Sequence, residues 1–323
     1  MNGKDGLIRR AVLHGLARDR TPGWSFTGHF QNLQWPVIGA DTMTVTLPVA
    51  PHCEASNGTV DLTALLVLFD AALASPTRLS VVPGSRLATS HINVQFTGSA
   101  ATHDARVQAQ SVSATQGGTM RQLLAHGSLF SGDQLVLTGN AAFVQIAPPA
   151  EVREMAPLPW QREGTIDPPP LTSDQLDQRE AAVLAACDAA LAACADLTAG
   201  AGAGAVSGAH NASFLQHFWG ILPARTIAGA ECRVTTGPQL ANRVGHVQGG
   251  ILMGLAAHTA QCAVPDHPLL SNLSAWFTGP GRGAALLAKS WPVHRGRNFA
   301  VVRTEITGEN GARVLEATSA HAA

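Results

Sequence analysis

The sequence predicts an α+β unit that occurs twice in the chain, with one long apolar helix packed on an antiparallel sheet in each half. A glycine turn followed by an apolar helix occurs at Gly58 and again at Gly245, 187 positions later. Downstream, Gln95-Phe96-Thr97-Gly98 recurs as Trp276-Phe277-Thr278-Gly279, 181 positions later. Two matches in the same order and at nearly the same offset indicate an internal duplication. A length of 323 residues suits two domains of ordinary size.

The predicted elements begin with an N-terminal helical extension over residues 1–22, which contains a helix over 4–18. The first α+β domain follows over residues 23–147. Its central helix begins at Asp61 and is expected to stop at Ser75-Pro76, because proline disrupts a helix. Alternating or β-branched segments between turn residues predict its strands. These are Thr42–Leu47, His91–Phe96, Ala105–Ser113, Arg121–Leu129 and Gln134–Gln145.

Residues 148–208 are predicted to connect the two domains. Proline clusters make the first part stiff, and an Ala-rich helix over Leu171–Leu197 has Thr172 or Ser173 as its cap. The glycine-rich segment Thr198–Gly208 is typical of a flexible linker. The second α+β domain, residues 209–323, repeats the order of the first. Its elements are strand Ile227–Val234, helix Gln248–Ala263 and strands near Leu273–Phe277, Ala285–Trp291, Phe299–Ile306 and Ala312–Ala320.

Composition narrows the function classes. A net charge of −1 with 13% charged residues predicts no nucleic-acid partner and no binding to an anionic membrane. Five scattered cysteines suit reduced thiols in a cytoplasmic protein, and no His/Cys/Asp cluster has metal-ligand spacing, so no metal or other cofactor is expected. The N-terminus lacks the apolar core of a secretory signal. The longest apolar run, Leu62–Ala74, is expected to be too short to span a bilayer.

The turn and helix of the second half resemble the hotdog thioesterases, especially the branch of phenylacetyl-CoA thioesterase. That family carries an Asn, a Gly three positions later, His-Gly-Gly at the start of the central helix, and an Asp nine positions after the His. Asn242, Gly245, Gln248 and Gly249-Gly250 match this pattern, with Gln248 in place of the His. Ala257 stands where the acid is expected.

The first half keeps the complementary part of the motif. Asp70 occupies the acid position, nine residues after Asp61, whereas Leu62-Thr63 replace the paired glycines. Ala55 stands where the motif has its Asn. The two halves therefore retain different parts of one chemistry.

The resemblance implies two hotdog domains that form an intrachain pseudo-dimer, with each active site shared between a helix start of one domain and an acid of the other. One pairing joins Asp70 to Asn242, Gln248 and Gly249-Gly250, and it is complete. The opposite pairing joins Asp61, Leu62 and Thr63 to Ala257 or His258, and it lacks almost every part. One working site per chain is therefore expected. Assembly of such chains into homo-oligomers is left open.

Thioester cleavage would use the helix start and the acid in different ways. Unpaired N–H groups at a helix N-terminus can stabilise the oxyanion, and Gly250 is the first choice as donor, with Gly249 beside it. The alternative is that the two glycines only permit a tight turn or close helix packing. Asp70 would act as general base or nucleophile, or else lie at a wet helix edge or bond a hydroxyl.

Gln248 and Asn242 also allow two readings. Gln248 could bond the thioester or orient the water, but a helix cap is an equal alternative. It cannot act as a general acid at neutral pH. Asn242 could contact substrate or close the turn.

The expected substrate is an acyl-CoA or acyl-carrier-protein thioester. The basic loop with Arg295 and Arg297, together with Arg282 and Lys289, is a candidate for binding a coenzyme A phosphate, the alternative being solvated surface. A hydratase or dehydratase of the same fold is disfavoured, because no Asp is followed five positions later by a His. A non-catalytic acyl-thioester-binding or scaffold protein remains the alternative of a different class.

Overall fold

The computed structural model describes residues 3–81, 85–117, 120–146, 156–161, 167–199 and 212–323. The N-terminal helix is α1 (Gly3–Asp19), close to its predicted bounds. In the first half a short helix, α2 (Phe26–Phe30), precedes the central helix α3 (Leu62–Thr77). The strands of this half are β1 (Gln34–Ile38), β2 (Thr42–Leu47), β3 (Arg86–Phe96), β4 (Ala105–Gly117), β5 (Met120–Ser131) and β6 (Gln134–Ile146).

The second half repeats this series after the connector helix α4 (Gln178–Ala199). A short helix, α5 (Phe214–Trp219), again precedes a central helix, α6 (Gly249–Ala263). The strands are β7 (Ala224–Arg225), β8 (Ala230–Thr235), β9 (Leu269–Phe277), β10 (Ala285–Arg295), β11 (Phe299–Gly308) and β12 (Arg313–Ala322).

The twelve strands of the described residues form one antiparallel sheet in the order β1-β2-β4-β5-β6-β3-β9-β12-β11-β10-β8-β7. The order is a palindrome of the two halves, which meet where β3 pairs with β9. The α+β prediction and the two tandem units are therefore confirmed. The exact domain limits at 22, 147 and 208 stay a prediction.

The duplication is visible in the backbone around each central helix. Short 3-10 turns at Pro51–Cys53 and Pro238–Leu240 lie 187 positions apart, as do the bridges Glu54↔Val60 and Ala241↔Val247. Gly58 and Gly245 occupy the same place in these turns and have nearly equal positive φ angles, 79° and 77°. Only glycine adopts this backbone at little cost, so the offset read from sequence marks structurally equivalent turns.

The two central helices pack directly against each other, as the repeat predicts. A Cβ at Gly250 would overlap the backbone of Val67, and a Cβ at Gly254 would overlap the side chain of Thr63. Because Gly250 is equivalent to Thr63 and Gly254 to Val67, the contact is close to symmetric. The helices can approach this closely only because α6 supplies two glycines.

Several predicted element bounds are wrong, including the strand predicted over Ile227–Val234, which begins at Ala230, and the strand predicted over Ala105–Ser113, which runs to Gly117. Pro76 does not stop α3 as predicted but lies inside its last turn, and the helix ends one residue later at Thr77. Strand β3 begins at Arg86, five residues before the predicted start. Helix α4 begins at Gln178 because Leu176 is extended, and Thr172 instead caps a 3-10 turn at Ser173–Gln175.

Other connector predictions, including the Pro148-Pro149 cluster and the glycine-rich linker from residue 200 onward, lie outside the described residues. All five cysteines are free thiols, as expected. The helical segment Leu62–Ser80, at 19 residues, is long and apolar enough to cross a membrane, so the prediction that it is too short was wrong. It is the buried core helix of the first half, with 72% of its window covered by the rest of the protein.

Candidate active site

A cavity of about 750 Å³ lies where the start of α6 meets the middle of α3. Both halves line it. The first half contributes one face of α3, part of α2 and the start of β3, and the second half contributes the turn before α6. The cavity is therefore an interdomain site, as the complementary motifs predict.

Asp70 is the one carboxylate among the described residues of the cavity wall, and only 7% of its surface is exposed. Gln248 Nε2 donates a hydrogen bond of 2.7 Å to Oδ2, and Thr89 Oγ1 donates one of 3.2 Å to Oδ1. Burial raises the pKa of Asp70 to about 6, against the opposing effects of Thr89, the Gly250 N–H and the positive charge of Arg78. A base with this pKa is suited to proton transfer near neutral pH.

Gln248 takes the second of its two predicted roles, that of a helix cap, and its amide group also bonds Asp70. Its side-chain Oε1 accepts the N–H of Ile251 and so caps α6. The cap fixes the orientation of the amide, because the oxygen is used and the NH₂ group must face Asp70. Asp70 in the first half is thus held directly by a residue 178 positions away.

Thr89 completes this group and was missed from the sequence. The pairing of β3 with β6 shifts register between Thr89 and His91, which makes Ser90 a bulge. Ile92 and Val94 are buried, and an extra residue at Ser90 reverses the alternation so that Thr89 also faces the helices. The predicted strand started at His91, so neither Thr89 nor the bulge was available to sequence reasoning.

Gly250, the predicted oxyanion donor, does not line the cavity. A Cβ there would overlap the backbone of α3, and its N–H lowers the pKa of the Asp70 carboxyl group. Gly249 does line the cavity, and a Cβ there would stand 2.7 Å from Asp70 Oδ2. As the first residue of α6, Gly249 has an N–H without an acceptor in its own helix. Its backbone N–H is the better-placed donor.

Asn242 lines the cavity, but its bonded role is in the turn. Its Oδ1 accepts the N–H groups of Val244 and His246 at 3.0 and 3.2 Å. The turn-closing alternative therefore accounts for this residue, which positions the chain that leads into Gln248.

Arg295 and Arg297, the predicted binding residues for a coenzyme A phosphate, are not among the described residues of the cavity wall. They lie at the turn between β10 and β11, where Arg295 pairs with Asp266 at 2.9 Å. Lys289 lies near Glu231 on neighbouring strands, at 3.4 Å. Of the basic residues singled out, Arg282 alone lines the cavity, because it belongs to the loop that follows β9.

Four arginines line the cavity, namely Arg78, Arg86, Arg243 and Arg282. Burial lowers the pKa of Arg78 to about 10, and the charge of Arg243 lowers it further, whereas Asp70 raises it. The pKa of His246 is lowered by burial and by the charges of Arg86 and Arg282. The wall therefore favours anions. In the described part of the chain, no group of three or more His, Cys, Asp or Glu is arranged to hold a metal ion.

The internal repeat relates this place to a second crossing of α3 and α6, which contains the equivalents of these residues. We call it the closed crossing, and we call the crossing beside the cavity the open crossing. Asp61 stands in the place of Gln248 and caps α3 through the N–H groups of Thr63 and Ala64. Its second oxygen accepts a 2.6 Å hydrogen bond from Ser213. Beside it, Gln216 contacts the buried ring of His258 at 3.3 Å. This crossing lacks the acid, as predicted, and its polar groups are buried.

Solved structures show the same architecture. A protein named as an oleoyl thioesterase from Lactobacillus plantarum is 8% identical, with a TM-score of 0.52, covering 88% of this chain and 97% of that chain. A protein named as a thioesterase from Novosphingobium aromaticivorans is 10% identical, with a TM-score of 0.50 and coverage of 89% and 97%. At this identity the likeness establishes the fold. The chain is a tandem hotdog protein.

The comparison with protein families concerns the second half of the chain. Residues 238–322 match the family model of the acyl-CoA thioesterase N-terminal domain, and this range contains Gln248 and Gly249. The sequence showed no match among curated proteins. The resemblance to hotdog acyl-CoA thioesterases is confirmed, and it supports an enzyme of the thioester hydrolase type.

Proposed function

We propose that the protein hydrolyses an acyl-CoA thioester at one composite site. The observation that carries the proposal is the 2.7 Å hydrogen bond from Gln248 of the second half to Asp70 of the first, at the wall of a cavity lined by both. Each half alone lacks either the base or the helix start. The fold joins them.

Asp70 acts as the general base in this mechanism. It takes a proton from a water molecule as the water oxygen attacks the thioester carbonyl carbon. Gln248 and Thr89 each donate to one carboxylate oxygen, which fixes the plane of the carboxylate and directs a remaining lone pair at the water. Attack by Asp70 itself, through an acyl anhydride, is the alternative, and it would use the same atoms.

The developing oxyanion is stabilised at the start of α6. The Gly249 N–H and the positive end of the helix dipole face the cavity at this point. Collapse of the tetrahedral intermediate breaks the C–S bond, and the sulfur takes the proton that Asp70 had accepted. A thiolate is a good leaving group, so Gln248 in place of a histidine acid is consistent with hydrolysis.

Coenzyme A is favoured as the thiol carrier by the charge at the open side of the cavity. Arg282 is exposed and lines both this cavity and a second one of about 180 Å³, whose wall also holds Arg179. Guanidinium groups are suited to phosphate oxygens. We define Arg86 and Arg282, which flank His246, as the outer arginine pair and assign the phosphates to it.

The test is hydrolysis of a panel of acyl-CoAs, followed through release of free thiol. The proposal predicts turnover of at least one class by the full chain and its loss in Asp70→Asn. Binding of the thioesters without hydrolysis by the unchanged protein would contradict it and would favour the non-catalytic binding alternative. Hydrolysis of acyl-carrier protein thioesters alone would leave the chemistry intact and contradict the assignment of the outer arginine pair.

A further inference from the structure

A strip of small side chains on α3 leads away from Asp70 along the cavity wall. Ala71, Ala74 and Ser75 form it, and Arg78 stands at its far end. Arg78 lies eight residues beyond Asp70, which corresponds to about 12 Å along a helix. The strip therefore connects the base with a guanidinium along a face of α3 that carries small side chains, and Trp35 borders it through a 2.9 Å hydrogen bond to Ser75.

The charge at the far end of this strip is unusual. Arg78 and Arg243, which we define as the inner arginine pair, lie close enough for each charge to act on the other. Arg78 is half-buried, and no carboxylate within the described residues lies at ion-pair distance from it. A guanidinium such as that of Arg78, partly buried in a cavity wall with no ion-pair partner among the described residues, favours binding of an anion, because a desolvated charge is costly without one.

We propose, building on thioester hydrolysis at Asp70, that the acyl group of the substrate ends in a carboxylate, which Arg78 binds at the end of the strip. The substrate class is then the monothioester of a dicarboxylic acid. The thioester lies at Asp70 and Gly249, the methylene chain lies over Ala71 and Ala74, and the distal carboxylate meets the guanidinium. Arginine suits this role because its planar fork pairs with both carboxylate oxygens.

The phosphates of coenzyme A do not account for the inner arginine pair. Arg78 lies in the same cavity wall as Asp70, about 12 Å along the helix from the base that faces the reacting carbonyl, and its charge still acts on the pKa of that base. The long pantetheine arm separates that carbonyl from every phosphate. Arg243 donates from Nη2 to the Ala156 carbonyl at 2.8 Å, which holds it in place beside Arg78. The two arginine pairs thus serve opposite ends of one substrate.

The experiment compares thioesters that differ only in the distal group. Glutaryl is paired with pentanoyl and adipoyl with hexanoyl, each as the coenzyme A ester and as the N-acetylcysteamine ester, which carries no phosphate. The full chain should prefer the carboxylated member by roughly tenfold or more in kcat/KM, in both series. Arg78→Gln should reduce that ratio towards one, and Arg78→Lys should retain part of it. Arg282→Gln should raise KM for both coenzyme A esters alike and leave their ratio unchanged.

The outcomes separate this inference from the proposed function. Hydrolysis of neutral thioesters at least as fast as the carboxylated ones would overturn the inference and leave thioester hydrolysis standing. An effect of Arg78→Gln confined to coenzyme A esters would also overturn it, because Arg78 would then bind a phosphate. Failure to hydrolyse any thioester would overturn the proposed function itself. If Arg78→Gln does not fold, the preference of the unchanged chain decides.

Discussion

The two crossings of α3 and α6 are related by the internal repeat, yet one borders a cavity and the other is closed. At the open crossing Gln248 caps α6 and bonds Asp70. At the closed crossing Asp61 caps α3, and its free oxygen is taken by Ser213. The same backbone therefore supports a site only where the acid and the helix start come from different halves.

Space distinguishes the crossings as much as chemistry does. At the open crossing Gly28 of α2 and Ala71 of α3 border the cavity. Their equivalents at the closed crossing are the larger residues Gln216 and His258, which contact each other at 3.3 Å. Thr89 likewise has Leu270 as its equivalent, at the same bulge of the neighbouring strand. The closed crossing therefore lacks equivalents of the Asp70 carboxylate, the Thr89 hydroxyl and the small residues Gly28 and Ala71.

The largest expected difference between the crossings comes from removing their acids. Asp70→Asn keeps the shape of the side chain but removes the base, so the hydrolysis rate should fall by roughly a hundredfold or more. Asp61→Asn, at the closed crossing, retains an acceptor for the α3 cap. It should change the rate little and reduce the free energy of unfolding by about 1 kcal/mol. Initial rates and urea unfolding curves measure both.

Inactivation by Asp61→Asn together with full activity of Asp70→Asn would show that the site is assigned to the wrong crossing. Equal small effects of both substitutions would remove the catalytic role from the helix crossing altogether.

The need for an open cavity can be tested by placing a side chain of the closed crossing at the equivalent position of the open crossing. Gly28→Gln places the glutamine of α5 at the equivalent position of α2, where a Cβ would meet only ordinary van der Waals contact at 3.8 Å. We expect kcat/KM to fall by roughly tenfold or more, as the side chain enters the cavity. Stability should not fall, because replacing a helical glycine is worth up to about 1 kcal/mol. Thermal unfolding beside kinetics separates obstruction from misfolding. Full activity in a folded variant would mean that the substrate does not pass α2.

The Thr89 hydroxyl group, which has no equivalent at the closed crossing, can be tested by a single substitution. Thr89→Val is nearly isosteric and removes one of the donors to Asp70. The rate should fall about tenfold, since a hydrogen bond to a charged group contributes about 1.5–3 kcal/mol. Thr89→Ser is the matched control and should retain most of the rate. If Val and Ser variants behave alike, the methyl group and not the hydroxyl matters.

The smallest expected effect is a displacement along the pH axis. Because burial raises the pKa of Asp70 to about 6, kcat/KM should rise with pH through that value as the base loses its proton. Thr89→Val removes a donor that stabilises the ionised carboxylate, so its rising limb should move to higher pH. Asp61→Asn should leave the limb in place. A limb centred near the ordinary value for aspartate, about 4, would contradict a buried base.

The sequence predicted those features that depend on local spacing. The offset of 187 identified equivalent glycine turns, and the nine-residue spacing identified Asp70 and Gln248 as partners across the repeat. Three predicted site residues, Gly250, Arg295 and Arg297, lie off the described cavity wall, because their placement depends on tertiary geometry. Gly250 turned out to be the helix contact, whereas Gly249 faces the cavity.

Thr89 and the arginines illustrate the same limit. A one-residue bulge at Ser90 decides which face of β3 Thr89 presents, and no pattern in the sequence announces it. Arg295 and Arg297 were chosen because they are close in sequence, yet Arg78, Arg86 and Arg243 reach the cavity from separate elements. Charge that converges on a cavity from several elements can be recognised only once the elements are placed.

Counting the binding sites per chain tests most directly whether only the open crossing binds substrate. A non-hydrolysable thioether analogue of a hydrolysed acyl-CoA can be titrated into the full chain by calorimetry. Gly28→Gln serves as the variant in which the open crossing is obstructed. A single site at the open crossing predicts one analogue bound per chain and little or no binding to the variant. Two analogues per chain, or one that persists unchanged in Gly28→Gln, would contradict the claim that a single crossing has kept its site.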